Sequence, residues 1–168
     1  MNSIELLADG YGRIGGVVHA VVDGLTAELL EARVDPGANS IAWLVWHLTR
    51  VQDDHVSDVA GAEQEWTHGG WVERFALPFD TGATGYGHSP AEVAKVTVAP
   101  ELLTGYYDAV HQRTHDYLQT LTDADLDRVV DPGWDPPVTL GVRLISVIDD
   151  DVAHAAQAAF VRGILERR

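Results

Sequence analysis

Two ionisable residues, Asp150 and His154, stand four positions apart in a largely apolar stretch near the end of the chain. Val147, Gln157 and Val161 continue the same line at steps of three and four, so a helix would carry all five on one side. A buried charge is costly unless it is paired or coordinates a metal, so both groups need partners. Because this spacing lets the two side chains reach one ion, the pattern predicts part of a metal site.

The third ligand that a tight site needs is offered by His47, which follows Trp43 and Trp46 in an apolar run. At about 100° per residue, His47 falls at the edge of an apolar helical face, where it could look into a gap between helices. Two imidazoles and one carboxylate suit a divalent ion such as Zn, Ni, Fe or Mn. Three protein ligands would leave coordination positions open for water or substrate, which favours catalysis over scaffolding.

The same residues also allow an interpretation without a metal. Asp150 and His154 could form an ion pair in a helix interface, with His47 bonded to a backbone carbonyl. Asp151 is the alternative to Asp150 as a ligand, because consecutive helical residues point about 100° apart and cannot all face one ion. Spacing alone leaves these alternatives open.

Other histidines fit simpler roles. His111 and His115 are also four residues apart, but the apolar face of their helix puts His115 toward solvent, which favours a solvated pair. His55 lies within the apolar face of the helix that carries His47, where a histidine is more often a satisfied core residue, and it is kept as a candidate neighbour of the site. The sequence has no Gly-rich phosphate loop, serine nucleophile elbow or His-Glu-x-x-His motif.

The elements that must position these groups are predicted to be helices. Apolar residues recur at helical spacing over residues 4–25, 41–59 and 101–121. Residues 140–165 are apolar over most of the helix circumference, which is typical of a helix enclosed by neighbours. With little strand signal elsewhere, the pattern predicts an all-α four-helix bundle.

The connections between the long helices carry their own signals. Residues 61–88 are rich in glycine and lack a sustained period, yet their aromatic residues favour an ordered lid over disorder: Trp66, Trp71, Phe75, Phe79 and Tyr86. Short extra helices are expected at residues 26–30 and after Ser89-Pro90. Residues 131–137, with three prolines, cannot form a helix or a central strand.

Composition and charge limit what the protein binds. A chain of 168 residues with 46% hydrophobic positions is long enough for one compact domain, over residues 1–168. The 26 acidic and 11 basic side chains give a net charge of −15, which would repel phosphate backbones and anionic lipids. Nucleic acid and membranes are therefore not expected as partners.

Cysteine is absent, so disulfides and thiolate ligands are excluded, and any thiol chemistry needs a borrowed thiol. The first residues lack a basic region followed by an apolar run, and no stretch approaches the length of a membrane span, which predicts a cytoplasmic protein. Lys95 is the only lysine beside ten arginines, and that usage suggests a GC-rich genome such as that of an actinobacterium.

The segment Asn39–Leu48, taken with His154-Ala155-Ala156-Gln157, resembles the DinB-like superfamily of metal-binding four-helix proteins. More closely, it looks like the actinobacterial branch related to mycothiol-dependent maleylpyruvate isomerase and to mycothiol and bacillithiol S-transferases. The resemblance implies a metal held by His47, Asp150 and His154, with Gln157 matching a glutamine common in the family. Asp150 departs from the more frequent histidine.

The resemblance implies a metal-dependent thiol S-transferase that joins a low-molecular-weight thiol, mycothiol, to a small electrophile. Under this hypothesis His55, Asp54 or a water molecule moves protons, and the aromatic loop encloses the substrate. The chain lacks room for the additional domain of the isomerase relatives, so generic thiol transfer is favoured over isomerisation. The alternative is a non-catalytic metal-binding bundle that acts as a stress-related binding or dimerisation module. A homodimer is a further expectation.

Overall fold

The computed structural model describes residues 1–167, and helices make up most of it. In chain order the helices are α1 (Ser3–Val22), α2 (Ala27–Glu31), α3 (Ile41–Ala60), α4 (Glu65–His68), α5 (Trp71–Phe75), α6 (Pro90–Val93), α7 (Pro100–Gln119) and α8 (Leu140–Leu165). A 3₁₀ helix (Asp123–Asp127) and two short strands, β1 (Val129–Asp131) and β2 (Val138–Thr139), lie between α7 and α8.

Four long helices, α1, α3, α7 and α8, form the bundle. Both α1 and α3 pack against α7 and against α8, so α1 and α3 face each other across the bundle diagonal. The most extensive of these interfaces joins α3 to α8, the two helices that carry the predicted metal ligands. The predicted all-α four-helix bundle is confirmed.

Side-chain caps fix where the long helices begin. Asn2 and Glu5 form a capping box at the start of α1, and Ser40 accepts a hydrogen bond from the backbone N–H of Trp43 at the start of α3. Thr139 caps α8 in the same way. α1 ends at Val22, three residues earlier than predicted, and the chain turns at Gly24, whose φ is +72°.

Two glycines of α1 allow it to lie close to its neighbours. A Cβ atom at Gly10 would stand 3.1 Å from Cδ1 of Ile148 on α8. A Cβ atom at Gly15 would stand 3.4 Å from the ring of Tyr107 on α7. These glycines therefore serve contacts inside the bundle.

The segment between α3 and α7 is the long aromatic loop of the prediction, with short extra helices α4, α5 and α6. Trp66 and Phe75 are buried in the core, because their rings pack against Tyr106 of α7. Tyr86, in contrast, is 93% exposed. Most of these aromatic residues therefore anchor the loop to the bundle, which differs from the lid expected from sequence.

A two-stranded hairpin occupies the proline-rich connection before α8. β1 and β2 pair antiparallel, with Val129 opposite Thr139 and Asp131 opposite Val138. The sequence excluded a central strand here, and these are two short edge strands of two and three residues. No helix within residues 1–167 has the length and apolar character that a bilayer crossing requires.

Candidate metal centre

Three predicted ligands from two helices meet at one point of the interface between α3 and α8. His47 of α3 and Asp150 and His154 of α8 each offer a ligand atom, and these atoms lie within 4.8 Å of one another. The rings of His47 and His154 have centroids 4.8 Å apart, and Nε2 of His154 lies 3.7 Å from Oδ1 of Asp150. These three residues are called the His-Asp-His cluster below.

A backbone carbonyl fixes the orientation of His47. The Nδ1 atom of His47 lies 2.6 Å from the carbonyl oxygen of Thr84. Since a carbonyl oxygen only accepts hydrogen bonds, Nδ1 must carry the proton and donate it. The lone pair is then on Nε2, and this is how a metal-binding histidine is usually oriented by its surroundings.

Gly85 allows the loop to come this close. Its φ is +97°, a conformation that favours glycine, and a Cβ atom there would stand 2.8 Å from Nδ1 of His47 and 3.0 Å from the Trp46 ring. On α3 itself, the indole of Trp43 stacks on the imidazole of His47, with centroids 4.5 Å apart. The ring of His47 is therefore held both by the loop and by its own helix.

His154 is oriented in a similar way by the residue three positions later. Its Nδ1 atom lies 3.3 Å from Oε1 of Gln157. When Nδ1 donates to that oxygen, Nε2 keeps its lone pair and faces Asp150. The sequence placed Gln157 on the same helical line as His154, and the family resemblance also pointed to it; the structure gives it this contact.

The protonation and burial of the cluster suit metal binding. Burial lowers the pKa of His47, although its bond to the Thr84 carbonyl acts in the opposite direction, so the imidazole is neutral at neutral pH. A neutral imidazole is the form that binds a metal. Oδ2 of Asp150 is buried and has no hydrogen-bond partner, so it is an acceptor in need of a cation. Two nitrogens and one carboxylate oxygen fit Zn, Ni, Fe or Mn.

The neighbouring acid, Asp151, points elsewhere. It is fully buried in the bundle, on the side of α8 that faces Tyr11 of α1 and Tyr107 of α7. The buried line of α8 runs through Asp151, whereas Asp150 lies at its edge with 41% of its side chain exposed. Of the two candidate acids, the structure places Asp150 in the cluster.

Comparison with known proteins assigns the family. The model of the DinB superfamily matches residues 13–158, which is most of the chain. The chain belongs to the DinB superfamily. A crystal structure described only as that of a conserved protein from Enterococcus faecalis is 31% identical, with a TM-score of 0.93 over 100% of this DinB chain and 99% of the other. A comparison with curated proteins finds no match.

Asp54 and His55, predicted to move protons, lie further along α3 in this DinB protein and have their own partners. Oδ1 of Asp54 accepts a hydrogen bond of 2.6 Å from Gln64, and Nδ1 of His55 lies 2.8 Å from a guanidinium nitrogen of Arg143. At 1.5 Å per residue, seven or eight residues of α3 separate them from His47 by about 11 Å. The structure does not bring them into the His-Asp-His cluster.

Arg50, which was not predicted as a site residue, connects α3 to the loop above His47. Arg50 is fully buried, and it donates hydrogen bonds to the carbonyl of Ala83, 3.1 Å away, and to Oε1 of Gln64, 2.8 Å away. Ala83 directly precedes Thr84, so this guanidinium holds the backbone that orients His47. A buried cation needs several such bonds to offset its loss of hydration.

Asp53 holds the other end of the same loop. Its carboxylate accepts hydrogen bonds from the backbone N–H groups of Glu65 and Trp66 and from the hydroxyl of Tyr106, at 2.7 to 2.8 Å. It also lies 3.6 Å from the guanidinium of Arg50. Arg50 and Asp53 are three residues apart on a largely apolar helix, and this spacing could have indicated the ion pair from the sequence.

Aromatic rings surround the cluster on the loop side. Nε1 of Trp43 donates to Nδ1 of His88 at 3.2 Å, and the His88 ring packs between Trp46 and Phe79. The sequence analysis did not select His88, because a single histidine in a glycine-rich loop carries no spacing signal. His88 contacts the indole of Trp43 that stacks on His47.

Proposed function

We propose that this DinB protein is a metal-dependent S-transferase that joins a low-molecular-weight thiol, mycothiol, to small electrophiles. The observation that carries the proposal is the His-Asp-His cluster, with ligand atoms within 4.8 Å of one another. Membership of the DinB superfamily and this cluster fit a metal-binding helical protein. The thiol cosubstrate and the transfer reaction are what the proposal adds to this metal-binding role.

The cluster would hold a divalent ion through Nε2 of His47, Nε2 of His154 and a carboxylate oxygen of Asp150. When bound, such an ion supplies a Lewis acid that stabilises a thiolate. The protein offers one anionic and two neutral ligands, so the site retains a net positive charge that attracts an anionic sulfur. Because the chain has no cysteine, that sulfur must come from a cosubstrate.

An apolar cavity of about 430 Å³ adjoins the cluster and suits the electrophile. Gln157 lines this cavity and also contacts His154, which connects the cavity to the cluster. The remaining wall is mostly apolar: Ala38, Leu44, Ala153, Ala156, Phe160 and Val161. A small molecule with an aliphatic or aromatic body would be stabilised there, because its apolar surface would be removed from water.

In the proposed reaction the thiol sulfur forms a bond to an electrophilic carbon of the second substrate. In a substitution, the leaving group departs with the electron pair of the bond that breaks, and the thiol proton passes to solvent. In an addition, the atom next to the attacked carbon takes up a proton. Asp54 and His55, predicted to move protons, lie about 11 Å along α3 from His47, so solvent exchanges these protons in the proposed reaction.

The proposal is tested by the metal content of protein purified without an affinity tag. Wild type is expected to contain about one equivalent of a transition metal, and His47→Ala and His154→Ala to contain almost none. His115→Ala on α7, outside the cluster, is the matched control and should keep the metal. Conjugation of mycothiol to 1-chloro-2,4-dinitrobenzene should then be at least about 100-fold slower in both cluster variants. Unchanged conjugation in His154→Ala contradicts the proposal.

A non-catalytic metal-binding bundle that acts as a stress-related binding or dimerisation module is the second candidate. It is favoured by exposed apolar residues on the outer side of α8: Val142, Ile145, Val152 and Phe160, which are 47% to 69% exposed. A homodimer would cover such a face. Under this alternative Ile145→Glu converts a dimer to a monomer in light-scattering measurements, and metal-loaded wild type conjugates no thiol.

A further inference from the structure

A polar cavity of about 430 Å³ lies beside α3 and the first part of α8, apart from the His-Asp-His cluster. Its wall includes Asp54, Asp58, Gln64, His55 and Arg143. The proposed function assigns this cavity no ligand. Its position and its chemistry both point to one.

The cavity and the cluster lie on the same seam between two antiparallel helices. His47 of α3 contacts His154 of α8 at one place, and His55 contacts Arg143 at the other. Residue numbers rise along α3 while they fall along α8, so the two contacts follow each other along the seam. Eight residues of helix separate them by about 12 Å.

The wall of the cavity offers both hydrogen-bond donors and acceptors. The carboxylates of Asp54 and Asp58 accept, and the amide of Gln64 and the guanidinium of Arg143 donate. The charge of Arg143 is already paired with Asp131, at 3.3 Å, so the wall has an excess of negative charge. This combination disfavours an anionic ligand and matches hydroxyl groups, each of which both donates and accepts.

The wall is also fixed before any ligand arrives. Gln64 donates to Asp54 at 2.6 Å, and its carbonyl oxygen accepts from the buried guanidinium of Arg50 at 2.8 Å. Arg143 is held between His55 and Asp131. Side chains held in this way lose little conformational freedom when a ligand binds.

We infer that this polar cavity binds the hydroxyl-rich, uncharged part of the thiol cosubstrate while its sulfur lies at the His-Asp-His cluster. The inference rests on the proposed function. A thiol attached to a sugar and an inositol, as in mycothiol, has its hydroxyl groups at one end and its sulfur at the other. Asp54 and His55 then bind the cosubstrate and need not transfer protons.

The test is a calorimetric titration of the metal-loaded protein with three thiols. Mycothiol and N-acetylcysteine share the thiol-bearing group, and only mycothiol has the sugar and inositol hydroxyls. Bacillithiol instead carries a dicarboxylate on its sugar. Mycothiol should bind at least about tenfold more tightly than either of the others. Equal binding of mycothiol and N-acetylcysteine, or tighter binding of bacillithiol, overturns the inference and leaves the proposed function intact.

A double variant, Asp54→Asn with Asp58→Asn, separates binding from proton transfer. It should raise the KM for mycothiol about tenfold or more, with kcat and the affinity for N-acetylcysteine unchanged. Asp116→Asn, an exposed acid on α7, is the matched control and should behave as wild type. A fall in kcat at constant KM would instead assign proton transfer to these acids and contradict the inference.

If none of the three thiols binds the metal-loaded protein, the proposed function fails, and the cavity is tested with the thiol-free fragment glucosaminyl-inositol. Binding of this fragment that the double variant loses supports the cavity as a polyol site. The absence of such binding overturns the inference.

Discussion

Two adjacent carboxylates of α8 face two different regions of the bundle. Asp150 lies at the seam with α3, 3.7 Å from Nε2 of His154, and its side chain is 41% exposed. Asp151 lies in the core toward α1 and α7, is fully buried, and has no hydrogen-bond partner for either oxygen. Burial raises the pKa of Asp151 well above its ordinary value and so favours the neutral form of its carboxyl group.

The difference shows how a helix assigns roles to identical side chains. A rotation of about 100° between consecutive residues takes one acid to a polar seam and its neighbour to an apolar core. The seam has histidines and an open rim, so a charged carboxylate is tolerated there and can bind. The core has tyrosines and aliphatic groups, so the other carboxylate costs stability.

The largest expected effect concerns metal affinity. Asp150→Asn removes a ligand and should weaken metal binding about 100-fold or more, because even residues that only orient ligands contribute 10- to 100-fold. Asp151→Asn should change the affinity by less than about threefold. A competition titration with a chelating dye measures both. Equal losses in the two variants would contradict the assignment of Asp150 to the seam and Asp151 to the core.

The next effect concerns the loop that closes the seam. Gly85→Ala should lower metal affinity about 10- to 100-fold, because the new Cβ meets Nδ1 of His47 and displaces the Thr84 carbonyl. Gly87→Ala is the control, since Gly87 also has a positive φ, +75°, but has open space around it. Gly87→Ala should lose about 1 kcal/mol of stability through its backbone conformation alone, and Gly85→Ala should lose more, because its Cβ also meets buried rings. Only Gly85→Ala should bind metal more weakly in the same titration.

The same two variants should affect stability in the opposite order: Asp151→Asn should change the free energy of unfolding more than Asp150→Asn does. Asp151→Asn is expected to raise the free energy of unfolding by about 1 kcal/mol or more, since an amide of the same size needs no proton to stay neutral in the core. Asp150→Asn, at a partly exposed position, should change it by less than about 0.5 kcal/mol. Urea denaturation of the metal-free proteins at neutral pH provides the measurement. A destabilised Asp151→Asn protein would show that the core carboxyl group has a stabilising partner.

The smallest expected effect is on the pH dependence of folding stability, and it concerns His111 of α7. Burial lowers the pKa of His111, whose ring stacks on Tyr107 and whose Nδ1 is buried without a partner. In the unfolded chain a histidine has a pKa of about 6.5, so the unfolded state takes up the proton first as the pH falls. The contribution of His111 to stability is therefore present above about pH 6.5 and is lost as the pH falls through its lower folded pKa.

His111→Phe should accordingly reduce the loss of stability on acidification, by less than about 1 kcal/mol because the ring is only partly buried. Thermal unfolding of both proteins at about pH 7.5 and about pH 5 gives the comparison. His115→Phe, on the exposed side of α7, is the matched control. Identical pH dependence in wild type and His111→Phe would show that the imidazole is already solvated in the folded protein.

Sequence reasoning was sufficient for the parts of the molecule that follow from helical periodicity. The four long helices and the meeting of His47 with Asp150 and His154 depend on spacing along helices that must pack together. The spacing favoured Asp150 and kept Asp151 as the alternative, because the apolar pattern of α8 extends around most of its circumference. Contacts with α1 and α3 decide which side faces which neighbour.

The loop contacts could not be predicted, because they depend on the path of the chain through space. A partly buried hydrogen bond between Arg50 and Ala83 helps to hold Thr84 and Gly85 above His47. Arginine side chains usually lie at the protein surface, so the sequence does not indicate that Arg50 is buried. The β1–β2 hairpin is too short to display a period of two residues.

The stacking of Trp43 on His47, with ring centroids 4.5 Å apart, places a fluorophore directly beside the cluster. Open-shell ions such as Ni²⁺, Fe²⁺ and Mn²⁺ quench indole emission at such short range, whereas Zn²⁺, with its filled d shell, leaves it bright. The protein would thus report optically which ion it has taken up. Trp43→Phe would remove that emission signal, and the rate at which each ion enters could be followed in the wild type without any added dye.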